Sequence, residues 1–325
     1  MTPPELLSAT RPDVPLLAGG LLSLGVLEPT DLAALLDLAS QMAEEPDGFT
    51  IPGRQSVACL FEKPSTRTRV SLQTAAHRLG LLPISLAPSE LQLGRGEPLE
   101  DTAQVLSGYC GAIVARVHAH ETLVRLAAAA DVPVINALCD RHHPLQALAD
   151  LLTLRDRFGE LAGLTLAYVG DADANVAHSL IEAAALAGMH LVVAAPTGYT
   201  PQPAILSGAL AICEATGGSV SVVADPADAA FGADAVTTDV WVSMGDEAER
   251  DLRLRELEAY RVDEALMAQA APHAVFLHCL PAHRGEEVSA AVIDGPQSVV
   301  FAQAANRLPT TQAVLYAALA GGPTA

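Results

Sequence analysis

Lysine is almost missing from this 325-residue chain. Lys63 is the single example, and Lys and Arg together number 18 against 38 Asp and Glu, a net charge of −20. Nucleic acid and anionic membrane surfaces require basic patches, so this balance argues against both as partners. Any anionic ligand has to be met by local positive charge. No uninterrupted apolar span is present either: the run from Val14 to Leu27 is broken by Gly19, Gly20 and Gly25 and is too short for a bilayer. The N-terminal stretch MTPPELLSATRPDVPLL lacks a basic region before an apolar run, so no secretory leader is expected. The five cysteines are odd in number, scattered and without CxxC spacing, which fits reduced thiols in a cytoplasmic protein. GxGxxG is missing as well, so the loop GDADANVAHS (170–179) is a poor dinucleotide site.

What is present is ample apolar content, half of all residues, in a chain long enough for two domains. Pro29 to Glu45 reads as an amphipathic helix with Thr30 as its cap. Beyond it, short apolar runs alternate with helical patterns: SVACLF, LLPISLA, AIVARV and PVINAL in the first half, LTLAYV, HLVVAA, SVSVVA, AVTTDV and AVFLHC in the second. That rhythm predicts an α/β fold, two doubly wound parallel-sheet domains joined by helices. A helix from Pro144 to Phe158 sets the boundary, giving one domain over 1–150, a second over 151–306, and a C-terminal helix from about 307 to 325 that packs back on the first. In such sheets ligands bind beyond the carboxyl ends of the strands, where the distinctive residues of this chain fall.

The segment FEKPSTRTRV (61–70) lies between a strand pattern and a helical one. With Ser65 at the cap, Ser65, Thr66, Arg67 and Thr68 face one point where a helix start presents free N–H groups and partial positive charge. An ordinary capped helix with solvated arginines satisfies the same pattern. Arginine adds a planar fork that grips phosphate oxygens in pairs, and two features favour an anion: three basic residues, Lys63 among them, clustered in an acidic chain, and Pro64, which lacks an N–H and fixes the approach of the chain into the turn. FEKPSTRTR resembles the carbamoyl phosphate motif of the aspartate and ornithine carbamoyltransferases.

Further strings resemble the ornithine branch of that family, in its order. LQLGRGEPLEDTAQVLSGY leads to Arg116, matching a second phosphate-binding arginine, and includes Gln92, whose counterpart lies near carbamoyl phosphate across a trimer interface. Gly96 stands where the family often has lysine, with Arg95 beside it. HPLQ supplies His143 and Gln146; a ring N–H suits the carbamoyl oxygen and an amide carbonyl suits its NH2. His142 reads as structural. Asn175 matches the asparagine that holds the amino acid's α-groups, while Ala174 replaces a second one. DVWVSMG resembles the ornithine-selecting loop, which assigns substrate contacts to Asp239, Ser243 and Met244. HCLP resembles the motif in which Cys279 lies beside the δ-amine and the Cys279–Leu280 backbone faces the carbamoyl NH2. Arg307, near the start of the last helix, matches an arginine at the carbamoyl group. A metal reading of His278, Cys279 and His283 is disfavoured, because neighbours on a strand point to opposite faces.

The resemblance, running from about residue 56 to about residue 316, implies transfer of the carbamoyl group of carbamoyl phosphate to the δ-amine of L-ornithine, without metal or organic cofactor, in a homotrimer or an assembly of trimers. Arg116, His143, Asp239 and Cys279 are the implied catalytic residues. Other amines, such as putrescine, and a non-catalytic ligand-binding role are the alternatives.

Overall fold

The computed structural model describes residues 17–53, 55–87, 96–242 and 247–320. In chain order the first part carries β1 (Gly20–Leu21), α1 (Pro29–Glu44), β2 (Ser56–Phe61), α2 (Thr66–Arg78), β3 (Leu82–Leu86), α3 (Leu99–Tyr109), β4 (Ala112–Arg116), α4 (His120–Ala129) and β5 (Val134–Leu138). After α5 (Pro144–Phe158) come β6 (Thr165–Val169), α6 (Asn175–Leu186), β7 (His190–Ala194), α7 (Pro203–Thr216), β8 (Ser219–Val223), α8 (Pro226–Ala230) and β9 (Ala235–Thr238). The last stretch adds α9 (Arg250–Glu256), α10 (Glu264–Met267), β10 (Val275–His278), α11 (Ala290–Ile293) and α12 (Val300–Leu319).

The strands form two five-stranded sheets, ordered β1-β5-β4-β2-β3 and β10-β9-β6-β7-β8, and every pairing is parallel. This is the α/β architecture the alternating pattern predicts. Parallel strands need helical crossovers that cover both faces, so central strands are apolar throughout. β4 is buried at all five residues and β2 at every residue after Ser56. In both sheets the order reverses beside the strand that starts the unit, β2 or β6, which opens a crevice at the carboxyl ends.

Helix α5 holds the two sheets together. It is buried from Pro144 through Leu154, and it packs against α1, α6 and α12. A helix enclosed on all sides carries few solvated faces, and α6 is likewise buried from Val176 to Leu186. α12 lies against α1, α2 and α5, bringing the end of the chain back onto the first sheet's helices.

Two boundaries differ from the sequence expectation. α1 is capped by Glu28, not Thr30: Glu28 and Asp31 form a reciprocal capping box with Pro29 at the first helical position. Proline tolerates that position because its missing N–H would have no helical partner, and it keeps the preceding residue extended. α12 begins at Val300, so Arg307 sits well inside the helix rather than near its start. The residues ahead of it, VFAQAAN, are rich in alanine and glutamine, which sustain a helix.

Candidate functional site

One half of the site is built on the carboxyl ends of β2, β4 and β5. Ser65 caps α2, its hydroxyl accepting from the Thr68 N–H at 3.3 Å. The free N–H groups of the first turn and the Arg67 side chain thus open at the end of β2. Arg116 is the last residue of β4, in register with Phe61, and is buried although charged. His143 directly precedes α5, and Gln146 lies one turn inside it. Arg307 reaches in from α12, donating through Nη1 to Gln146 Oε1 at 2.6 Å and through Nη2 to Thr68 Oγ1 at 3.2 Å.

Three guanidinium groups therefore surround one point in a chain of strongly negative charge. Burial pushes Arg116 and Arg307 down to about 10, which leaves both charged at neutral pH. Burial, reinforced by Arg307, Arg116 and Arg67, holds the His143 imidazole well below its usual range, so it is neutral. Among the described residues Arg116 Nε, His143 Nδ1 and Arg307 Nε are buried without a hydrogen-bond partner. Buried donors left open in this way are costly unless a ligand meets them. The Gln146 amide is fixed at both ends: Oε1 accepts from Arg307, and Nε2 donates to Asp150 Oδ1 at 2.7 Å. Its carbonyl keeps a second lone pair for a ligand NH2.

The other half is built on β9 and β10. These strands are paired with Thr238 opposite His278, so the residues that follow, Asp239 and Cys279, lie side by side. The Cys279 thiol donates to Asp239 Oδ1 at 3.0 Å. Burial first, then the neighbouring Asp239, pushes the thiol well above its ordinary range, so it is held as S–H and not as a thiolate nucleophile. Burial also raises Asp239, opposed by His278, the thiol and the Val240 N–H. Leu280 adopts φ of 57°, its N–H donating to His278 Nδ1 at 2.9 Å and its carbonyl accepting from Arg67 Nη2 across the cleft. Asn175 opens α6 and donates to the Cys139 carbonyl at 2.9 Å.

These parts face one cavity of about 970 Å³. Ser65, Thr66, Arg67, Thr68 and Arg116 line it on the first sheet's side, with His143, Gln146 and Arg307 beside them. Asn175, Asp239, Cys279 and Leu280 line it on the second sheet's side. Gln92, Ser243 and Met244 fall outside the described residues.

Several residues of the site escaped the sequence reading. Asp150 accepts from both Gln146 and Gln303, each at 2.7 Å, and burial pushes it up to about 6. The signal was available: an acid one helical turn after Gln146, on a helix otherwise apolar there. Asp171 and Arg253 form a 2.6 Å ion pair that also lines the cavity. At HCLP two of the three residues of the metal reading, His278 and Cys279, do converge, and the third does not. Asp239, His278 and Cys279 bring ligand-type atoms within 4.8 Å of one another, because the chain leaves the strand at His278; His283 belongs to a separate group with Glu286 and Glu287.

The fold and cavity define a class: a two-sheet α/β protein that gathers arginines around a helix start on one sheet and faces them with an acid–thiol pair from the other. Comparison with known proteins narrows this. Residues 20–156 match the profile described as aspartate/ornithine carbamoyltransferase, carbamoyl-P binding domain, and residues 162–318 match its Asp/Orn binding domain. The ornithine carbamoyltransferase of Acidothermus cellulolyticus is 53% identical over 290 residues, 89% of this chain and 93% of that protein. That of Hyperthermus butylicus is 49% identical over 94% of this chain and 99% of its own length. Among solved structures, the Pyrococcus furiosus ornithine carbamoyltransferase superposes with a TM-score of 0.91 at 43% identity, covering 95% of this chain and 100% of that one. The chain belongs to the aspartate/ornithine carbamoyltransferase family.

Proposed function

We propose that this protein transfers the carbamoyl group of carbamoyl phosphate to the δ-amine of L-ornithine, giving L-citrulline and phosphate. One observation carries the reading: the capped start of α2 with Arg67, Arg116 and Arg307 shares a cavity with the Asp239–Cys279 pair. The first set suits a phosphorylated donor and the second an amine. Relatives about half identical over nearly the whole chain bear the name of this activity.

The donor phosphate sits on the α2 start, held by Ser65, Thr66, Arg67 and Thr68 together with Arg116. Thr68, Arg116 and His143 point donors at the carbamoyl oxygen, while Gln146 Oε1 and the Leu280 carbonyl accept from its NH2, and Arg307 braces Gln146 and Thr68. The neutral δ-amine attacks the carbonyl carbon and charge builds on the oxygen. The bond between the carbonyl carbon and the bridging oxygen then breaks, and the departing phosphate, which keeps that oxygen, takes the proton the amine loses. Preorganised donors at a developing oxyanion contribute on the order of 3 kcal/mol each. Because His143 is neutral, it serves as a fixed hydrogen-bond donor and not as an acid.

Asp239 and Cys279 orient the acceptor, assisted by Asn175, Ser243 and Met244, and Gln92 completes the donor site from a neighbouring copy in a trimer. The protein works in the cytoplasm, in arginine metabolism, without metal or organic cofactor. No helix among the described residues is long and apolar enough to cross a membrane. A panel of ornithine, putrescine, lysine and N-acetylornithine with carbamoyl phosphate tests the acceptor. Ornithine should be carbamoylated fastest; a higher kcat/KM for another amine would replace it in this reading.

A further inference from the structure

The N-terminal half of α6 carries four polar residues, Asn175, His178, Ser179 and Glu182, spaced so that they share one helix face. Polar groups on a helix this enclosed require partners, and three of the four find a hydrogen bond in the five residues between β5 and α5. Asn175 Nδ2 donates to the Cys139 carbonyl at 2.9 Å. His178 Nδ1 lies 3.2 Å from the Arg141 carbonyl, and its Nε2 receives the Gln202 N–H at 3.3 Å. A backbone N–H can only donate, so the ring proton is on Nδ1 and points at Arg141. Ser179 Oγ accepts the His143 N–H at 2.7 Å, whereas Glu182 Oε2 accepts the Leu24 N–H at 3.0 Å and lies 3.5 Å from His142 Nδ1. His142, His143, His178, Ser179 and Glu182 are all more than nine-tenths buried.

One face of a helix in the second α/β unit therefore holds three of the five residues of the loop that ends in His143, Cys139, Arg141 and His143 itself. We infer that this face of α6 positions His143 against the carbonyl of the donor, with His178 and Ser179 as positioning residues. The inference rests on the proposed function, which places His143 at the carbamoyl oxygen. It adds a link between the two halves of the site. Asn175, assigned to the acceptor, is the first member of the same face, so a ligand that draws its amide away from the Cys139 carbonyl loosens one of the loop's ties. A fixed orientation matters here because the His143 ring is neutral and has a single N–H to aim.

The test compares two ligands that share a phosphorus group and differ in the amide. Inorganic phosphate reaches only the α2 start and the arginines; phosphonoacetamide, a stable analogue of carbamoyl phosphate, also reaches His143. Calorimetry on wild type, Ser179→Ala, His178→Leu and His178→Asn gives both affinities. Ser179→Ala and His178→Leu should weaken phosphonoacetamide about tenfold and leave phosphate unchanged. His178→Asn, whose amide NH2 takes the place of Nδ1–H, should restore most of the loss. Equal weakening of both ligands would mean general damage to the fold, and unchanged binding of both would mean that the loop needs no such support; either overturns the inference. Wild-type protein that forms no citrulline would remove the proposed function, whereas the affinity ratio judges α6 without turnover. Wild type that fails to bind phosphonoacetamide would overturn both.

Discussion

The donor and acceptor halves of the cavity use opposite electrostatics. On the first sheet's side, charge is concentrated and braced: Arg307 is tied to Gln146 and Thr68, Gln146 to Asp150, and Asp150 to Gln303, so α2, α5 and α12 are joined through one buried network. On the second sheet's side burial works against charge at the acid–thiol pair, raising both Asp239 and the Cys279 thiol that donates to it. The contrast follows the chemistry. A dianion that gains charge on its carbonyl oxygen during reaction needs fixed cations and donors. An amine that must arrive without its proton needs acceptors in a dry setting, and an adjoining cationic group would oppose the ammonium form it comes from.

The contrast is broken most severely on the donor side. Arg67→Ala removes the proposed phosphate contact and should lower citrulline formation by about 10³-fold; near-normal turnover would take Arg67 out of the site. On the acceptor side Asp239→Asn should lower kcat/KM for ornithine by about 10²-fold, the cost of a charge-assisted contact, while phosphonoacetamide affinity stays within about twofold. Cys279→Ser keeps a donor toward Asp239, so steady-state turnover should fall by about tenfold at most. Complete loss would point to covalent use of sulfur instead.

pH sharpens the same division. The δ-ammonium has a pKa of roughly 10, so kcat/KM for ornithine should climb with pH through the neutral range. His143, held neutral by burial and three arginines, should add no inflection near its ordinary pKa of roughly 6.5. Asp150 gives a smaller effect, on stability. Its pKa is raised from 3.8 to about 6 by burial, so its contribution is fully present below the lower value and is lost as pH rises through the upper one. The stability of wild type relative to Asp150→Asn, read from urea melts, should therefore drop by on the order of 1–2 kcal/mol between about pH 4 and about pH 7. A difference that is flat or grows with pH would contradict the burial argument.

The donor half was the more legible in the sequence, for a physical reason. Its motif is local: a strand, a proline, a serine cap and a helix start fall within ten residues, and Ser65 caps α2 as the spacing predicts. Parallel pairing follows from alternation and crossover length, so the architecture was readable too, while the order of the strands appears only in the structure. What sequence left hidden depends on distant segments meeting. Asp239 lies beside Cys279 because β9 and β10 pair in register, and Gln303 reaches Asp150 across 153 positions. The polar face of α6 was partly visible in NVAHSLIE, but nothing in that string says that its partners are the carbonyls and N–H groups of a loop more than thirty residues earlier.

Simultaneous measurement of phosphate and citrulline in purified wild-type protein, with carbamoyl phosphate and with and without ornithine, tests the two-sided site most directly. Both products should appear together, one for one, and only when ornithine is present. Phosphate release without citrulline, or equal release in the absence of ornithine, would contradict a site in which the donor reacts only with an amine delivered from the opposite sheet.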